Sequence, residues 1–415
     1  MGGRIRSAAA EPTAPHQDDG GGGAGSDGGA PGRAPRSGGG TDAAAGGGGA
    51  APVRRPSAGR PPAGDAAGGG AQQAGAAQGH EAGGGWGQDG AAQGLAPHQP
   101  VLLEAALAFL APRRGGRYVD GTVGGGGHAA ALLAAVGGDA QLLAIDRDPQ
   151  ALAVARRRLA PFGDRVHLVH GDFRDLERHL ASLGWDRVDG ILLDLGVSSM
   201  QLDDPSRGFS YQEEGPLDMR MDPGQPLTAA DLVNTASRDQ LARWLAEYGE
   251  ERWAGRIADF IVEARRRRPI TTTTELVEIV KAAIPARARR RGGHPARRTF
   301  QALRIAVNDE LRGLEGFLRA AAQRLRPGGR LVVIAFHSLE DRAVKRAFRD
   351  LAAGEGFRLL TRKPVTPGEE EVRRNPRSRS AKLRALQRLA AGPAPAGGEP
   401  RTGAGARASP CDATR

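Results

Sequence analysis

The stretch that most constrains this chain runs from Tyr118 to His128, Tyr-Val-Asp-Gly-Thr-Val-Gly-Gly-Gly-Gly-His. A short apolar strand ending at Asp120 passes into a glycine-dense turn, and a helix begins near His128 on the good helix formers Ala129 to Ala135. Strand, glycine loop and helix in that order build a ligand crevice at the carboxyl end of the first strand of a doubly wound α/β sheet. Glycine is needed where a Cβ would hold a ligand away from the backbone. Linkers also carry glycine repeats, so the next run decides. Leu142-Leu143-Ala144-Ile145-Asp146 reads as a second buried strand ending in an acid, about 20 residues on, where a ribose-binding carboxylate belongs.

Not all 415 residues serve that sheet. Residues 1–95 are Gly, Ala, Pro and polar residues without apolar periodicity, and they hold close to half of the 63 glycines. Too little apolar surface is present there to offset the entropy of ordering, so a disordered tail is expected. No apolar segment follows Arg4 and Arg6, which argues against a secretory signal, and no apolar run of about 18 residues exists to span a membrane. The single cysteine, Cys411, excludes a disulfide framework and a thiolate metal site and suits the cytoplasm. Lys plus Arg number 58 against 47 acids, a formal charge of +11. The tail is close to neutral, so the excess falls on the folded part. A polyanionic partner such as nucleic acid accounts for it, as does a solvated basic surface with no partner.

Taken in order, the foldable sequence starts at His98-Gln99-Pro100-Val101-Leu102-Leu103 and an amphipathic helix through Leu110. After Asp146, Pro149 opens a helix to about Leu159. Val166 to Val169 is a third strand, followed by a helix to about Leu183, and Val188 to Asp194 is a fourth. Strand and helix in alternation imply a parallel sheet covered on both faces. The pattern then breaks. Asp203 to Pro226 reads as a long loop, and Ser237 to Gln240 and Thr272 to Glu275 are capping boxes ahead of helices with no strand between them. A single long helix over about Arg298 to Leu325 leads to a fifth strand, Leu331 to Phe336, and a helix to about Leu351. Phe357 to Val365 and Ala381 to Leu389 form a closing antiparallel pair. The expected division is a tail, 1–95; a first sheet segment, 96–211; an inserted helical domain, 212–296; a second sheet segment, 297–390; and a second tail, 391–415.

Asp120 precedes the glycines, where a carboxylate would repel a phosphate and suits a cationic ligand such as S-adenosylmethionine, which carries an ammonium and a sulfonium. A strand-end turn role is the alternative, as it is for Asp146 against ribose binding. Asp172-Phe173 flanks an adenine, or Phe173 is core. Asp194, at the end of the fourth strand, accepts a hydrogen bond from an exocyclic amine such as that of cytosine, or is a satisfied loop acid. Ser338 with Asp341 has the spacing of a helix cap, leaving His337 as the free candidate in Phe336-His337-Ser338. Phe209 and Tyr211 stack on a flipped base or pack internally. No His, Cys or Asp cluster has metal-ligand spacing, so no metal is expected, and no Ser-His-Asp order can be defended.

These residues together resemble the bacterial small-subunit ribosomal RNA (cytosine-N4) methyltransferases. The likeness rests on 98–103, Asp120-Gly121-Thr122 with Gly124 to His128, Ala144 to Asp148, Leu192 to Asp203 and Arg207 to Tyr211. It continues through Pro216 to Met221, Tyr248 to Arg252, Thr299 to Arg304, Phe336 to Arg342 and Asn375 to Ser380. The resemblance implies a class I S-adenosylmethionine-dependent methyltransferase, a Rossmann-like doubly wound sheet with a small inserted all-helical domain. It implies S-adenosylmethionine as cofactor and N4 of a decoding-centre cytidine in 16S rRNA as acceptor, within the small ribosomal subunit, in the cytoplasm. Carried over by position, the cofactor contacts are Gly126, Gly127, His128, Asp146, Phe173, Asp194 and Gln201; the catalytic candidates, Asp194 and His337, come from their places at the ends of the fourth and fifth strands, and which group orients the amine stays open. Four consecutive glycines before His128 depart from the family, which places a larger residue among them. Asp194-Leu195-Gly196 stands where other amine methyltransferases carry a Pro-Pro-aromatic signature. The rival functions are methylation of another RNA cytidine, RNA binding without chemistry, and dinucleotide oxidoreduction, against which Asp120 argues. Nothing in the sequence speaks to oligomeric state.

Overall fold

A computed structural model describes residues 100–289 and 293–390. The two tails, His98, Gln99 and Cys411 lie outside the described residues.

Seven strands form one sheet: β1 Arg117–Asp120, β2 Gln141–Asp146, β3 Val166–His170, β4 Val188–Asp194, β5 Leu325–Ala335, β6 Phe357–Leu359 and β7 Lys382–Arg388. Their order is β3-β2-β1-β4-β5-β7-β6. β1 to β5 run parallel, while β7 lies antiparallel between β5 and β6. Alternate residues of each strand feed opposite faces, as the pleat requires. Leu142, Leu192, Val332 and Leu383 pack under the helices Leu103–Leu110, Gly127–Val136 and Pro149–Leu159. Leu143, Ile145, Ile191, Leu193, Leu331 and Val333 pack under Leu176–Ser182, Leu314–Gln323 and Ser338–Ala352. Burial on both faces explains why these strands are continuous apolar runs rather than alternating ones.

Between β4 and β5 the chain is helical: Ala229–Thr235, Arg238–Glu247, Ala254–Arg267, Thr273–Ala283 and Arg297–Asn308. These helices share their own apolar core, in which Leu241, Ile257, Leu276 and Leu303 are fully buried. The capping boxes at Ser237/Gln240 and Thr272/Glu275 are both formed.

The expected single helix from Arg298 to Leu325 is two. Arg297–Asn308 ends with Asp309 in the left-handed region (φ 51°), and a second helix starts at Leu314. Tertiary bonds fix the break. Asn308 donates from Nδ2 to the Met219 carbonyl and accepts from the Met221 N–H, while Arg174 donates to the Asp309 carbonyl. The first helix thereby joins the helical core and the second the sheet.

Candidate active site

A cavity of about 680 Å³ opens where β1, β2, β4 and β5 end, a size suited to a small-molecule cofactor. Its first wall is the glycine loop. Asp146 holds that loop from the end of β2: one carboxylate oxygen accepts the Gly124 N–H at 2.7 Å and the other the Asp148 N–H at 2.9 Å. Gly127 lines the cavity, and a Cβ there would stand 2.4 Å from Cγ of Pro100, so glycine lets the entering chain lie against the loop. Gly126 (φ 78°) faces the other way. Its N–H goes to the Val123 carbonyl, and a Cβ would meet Ala155 and Leu159 at 3.4 Å. It therefore shapes the loop and seats the next helix, and is not on the cavity wall.

Three acids end neighbouring strands. Asp120 is 2% exposed and sits below the wall; burial first, then the nearby Asp146 charge, pushes its carboxyl up to about 7 against a bond from the Thr122 N–H. Burial also raises Asp146, although the Asp148 and Gly124 N–H groups pull it down. Asp194 stands well above the ordinary carboxylate range, through burial and then the charges of Asp120 and Glu340. Its Oδ1 is buried with no hydrogen-bond partner, and its Oδ2 lies 3.8 Å from Nδ1 of His128. Burial lowers His128 to about 4, so this ring is neutral at pH 7 and supplies no counter-charge, while its Nε2 lies 3.0 Å from the Val101 carbonyl. Among the described residues no Lys or Arg forms an ion pair with any of the three acids. Like charges in low dielectric without a cation are unfavourable, and a positively charged ligand relieves them. The donor set therefore fits a cofactor bearing sulfonium and ammonium charges.

Phe173 lines the cavity with its ring edge against Phe317 at 4.8 Å. Its neighbour Asp172 does not. Burial alone would raise Asp172, but Arg174 and Arg147 outweigh it and hold it below the usual range. Gln201 lines the cavity too, with both ends of its amide engaged: Oε1 accepts the Ser198 N–H and Nε2 donates to Asp148 at 2.8 Å. Asp148 also binds the buried Arg207 at 2.9 Å. Phe209 is buried in the helical core, and Tyr211 stacks on His294 at 4.6 Å with Phe300 at its edge, yet both also line the cavity, so internal packing and a place beside a base are compatible here.

At the end of β5 the helix cap differs from expectation. His337, not Ser338, is the N-cap: its Nδ1 accepts the Glu340 N–H while Glu340 accepts the His337 N–H. Ser338 instead donates to Glu250 at 2.6 Å. Nε2 of His337 lies 3.2 Å from Oε1 of Glu340, close enough for an ionic contact but outside hydrogen-bond geometry, so it is a second buried atom without a bond. Glu310 completes a trio with His337 and Glu340 whose ligand atoms lie within 4.8 Å of one another. Both oxygens of Glu310 are held by Arg304, at 2.9 and 2.8 Å, so a guanidinium already stands where a metal cation would. Sequence reading missed Arg304, Glu310 and Glu340 as site residues. The His337-to-Glu340 spacing carried a capping-box signal; Arg304 and Glu310 meet across a helix end and carried none.

The profile of the MraW methylase family matches residues 95–389. A protein named ribosomal RNA small subunit methyltransferase H from Symbiobacterium thermophilum is 56% identical over 310 residues, 71% of this chain and 98% of that protein. Proteins of the same name from Heliobacterium modesticaldum and Pelobacter propionicus are 54% and 55% identical over 308 residues, each 70% of this chain and 98% of theirs. The crystal structure of an rRNA methylase from Streptococcus thermophilus aligns at 14% identity and a TM-score of 0.32, covering 71% of this chain and 99% of that one, too low a score to add to what the sheet itself shows. The acid-lined cavity at the ends of a 3-2-1-4-5-7-6 sheet and the extent of these matches lead to one conclusion: the chain belongs to the MraW methylase family.

Proposed function

We propose that this protein transfers a methyl group from S-adenosylmethionine to N4 of a specific cytidine in the decoding centre of 16S rRNA, within the small ribosomal subunit. The observation that carries the reading is Oδ1 of Asp194, a buried carboxylate oxygen without a partner where the cavity meets the end of β4. The names of relatives identical at 52–56% supply the RNA class. S-adenosylmethionine, when bound, supplies an electrophilic methyl carried on a sulfonium.

The protein's own groups then have distinct tasks. Gly127, His128, Phe173 and Gln201 hold the cofactor, and Asp146 takes the ribose hydroxyls with lone pairs not used by the loop. Asp120, Asp146 and Asp194 oppose its positive charge. The amine of cytosine is a poor nucleophile because its lone pair is delocalised into the ring. Asp194 Oδ1 accepts one N–H, fixes the amine and, as nitrogen becomes cationic on methylation, stabilises that charge and takes the proton. His337 lines the same wall. The helical insertion, 212–296, serves as the RNA-recognition domain, with exposed Arg297 and Arg379 at the cavity mouth meeting phosphates. Arg373 and Arg374 pair with Glu370, and Arg377 pairs with Asp203, so the basic C-terminal run is partly neutralised within the fold. Among the described residues no helix is long and apolar enough to cross a membrane, compatible with work on ribosomal subunits in the cytoplasm.

The test is tritium transfer from labelled S-adenosylmethionine to small subunits from cells lacking the enzyme, with the modified base mapped by mass spectrometry. Label at a ring carbon, or at a residue other than cytidine, would overturn the reading.

A further inference from the structure

A cytosine offers three groups along its pairing edge: the N4 amine as donor, then N3 and O2 as acceptors. Uracil reverses the first two, with O4 an acceptor and N3–H a donor. A site that selects cytosine therefore needs one acceptor and two donors in that order. The wall where β4 and β5 end supplies such a set. Oδ1 of Asp194 is the bare acceptor. In His337, Nδ1 accepts the Glu340 N–H, which assigns the ring proton to Nε2. That Nε2–H is buried and makes no hydrogen bond, with Oε1 of Glu340 3.2 Å away in ionic contact but outside bonding geometry. The side chain of His337 is only 8% exposed, so the donor is closed off from bulk water. An unmade bond in such a place is unfavourable, and a ligand acceptor relieves it.

Arg304 provides the second donor. Its Nε and Nη2 grip the two oxygens of Glu310, which fixes the plane of the guanidinium. Nη1 makes no hydrogen bond among the described residues, and Arg304 lines the cavity. His337, Glu340 and Glu310 bring their ring nitrogen and carboxylate oxygens within 4.8 Å of one another, so both donors stand on one side of the cavity. His337 follows β5 and Arg304 sits on the helix Arg297–Asn308, whereas Asp120 and Asp146 end β1 and β2.

We infer that Nε2–H of His337 and Nη1 of Arg304 read N3 and O2 of the target cytosine while Asp194 accepts from N4, making these two residues the base-selecting pair. The inference rests on the proposed cytidine-N4 reaction and adds the groups that reject uracil. Against uracil, Asp194 Oδ1 would face O4 and His337 Nε2–H would face N3–H, two like-with-like contacts in a desolvated site. Glu310 and Glu340 act behind them as positioning residues, the first orienting Arg304 and the second holding the His337 ring from its own helix.

The experiment uses small subunits reconstituted with RNA carrying cytosine, 3-deazacytosine (N3 replaced by C–H) or 2-thiocytosine (a poor acceptor at position 2) at the target. Methyl transfer is measured for the wild-type chain, for His337→Ser and for Arg304→Met, with S-adenosylmethionine affinity measured on each protein. Serine is a good N-cap, so His337→Ser keeps the helix start while removing the ring donor. Wild type should lose about ten- to a hundredfold in kcat/KM on 3-deazacytosine, the scale of one good base contact. That penalty should shrink to within about threefold in His337→Ser, and the 2-thiocytosine penalty should shrink likewise in Arg304→Met, each variant keeping its cofactor affinity. Equal penalties in wild type and variants, or none in wild type, would overturn the inference while leaving the reaction intact. No transfer by wild type to cytosine RNA would overturn both. Because the wild-type comparison changes only the RNA, a variant that failed to fold would not rescue the proposal from a missing penalty.

Discussion

Replacing Asp120 with asparagine should make the protein more stable and worse at holding its cofactor. The carboxyl is 2% exposed and its ordinary value of 3.8 is raised to about 7, by burial before anything else. In the folded state it therefore keeps its proton where the unfolded chain has lost it. A raised acid contributes fully only below the unfolded value; stability then falls as pH climbs from about 4 to about 7, and the whole penalty stands above that. Some three pH units at about 1.4 kcal/mol each set an upper limit of about 4 kcal/mol. Asn keeps an Oδ1 to accept the Thr122 N–H and has nothing to ionise. At pH 8 Asp120→Asn should melt up to about 8 °C higher than wild type, and the gap should close as pH falls toward 4. Thermal unfolding at pH 8 and pH 4.5, with S-adenosylmethionine titrated calorimetrically into each protein, reads both effects. A variant no more stable at pH 8, or a gap that ignores pH, would refute the argument that burial holds this acid up.

Asp194→Asn should weaken S-adenosylmethionine binding, because one of three opposing acids is gone, and should still lose about 10²–10³ in turnover at saturating cofactor, the scale of one preorganised electrostatic group; full turnover at saturating cofactor would remove Asp194 from the chemistry. Asp146→Ala should weaken cofactor binding about ten- to a hundredfold, roughly 1.5–3 kcal/mol, because ribose hydroxyls and the Gly124 N–H lose one charged acceptor together; unchanged affinity in a folded variant would leave Asp146 a loop-holding role alone. Neutralising Arg297 and Arg379 should lower the salt slope of RNA or subunit binding by about one unit for each phosphate no longer held, with cofactor affinity unmoved. An unchanged slope would take those side chains off the RNA.

The sheet was legible because its strands are buried on both faces. Residues such as Leu142 to Ile145 and Ile191 to Leu193 can be nothing but apolar, and an acid stops β1, β2 and β4 where the chain leaves the core. Capping boxes at Ser237 and Thr272 were equally plain, since three-residue spacing is local. What escaped was decided by contacts across the chain. Asn308, Asp309 and Gly313 permit a break without demanding one; the turn is fixed by Asn308 reaching Met219 and by Arg174 reaching Asp309 from far away in sequence. By residue type the N-cap belongs to Ser338, the better capping residue, yet it goes to His337, whose ring Glu340 can approach from within the same helix. Gly126 and Gly127 look alike in sequence, and only the positions of Ala155 and Pro100 separate the packing glycine from the one on the wall.

The two sides of the cavity differ in how their charge is balanced, and that difference matches the two molecules the proposed reaction brings together. Near β5, Glu310 has Arg304 at hydrogen-bond distance, and Glu340 is held below its ordinary range: burial opposes this, but His337 and Arg304 outweigh it. That side is electrically settled and suits a neutral partner such as a pyrimidine ring, recognised by directional bonds rather than charge. Near β1, β2 and β4, Asp120, Asp146 and Asp194 all sit above their ordinary values with no Lys or Arg paired to them among the described residues. That side is left unbalanced, and a cation entering it lets the acids ionise. Cofactor binding should therefore release protons near neutral pH, and its affinity should rise with pH until the raised carboxyls are already ionised in the free protein. The sulfonium is lost when the methyl leaves. The product then meets the same acids with one positive charge fewer and should bind less tightly, which calorimetric titration of the demethylated cofactor against S-adenosylmethionine checks; equal affinities would refute this. On this reasoning the electrostatic imbalance that destabilises the empty fold should favour the charged cofactor over its neutral-sulfur product.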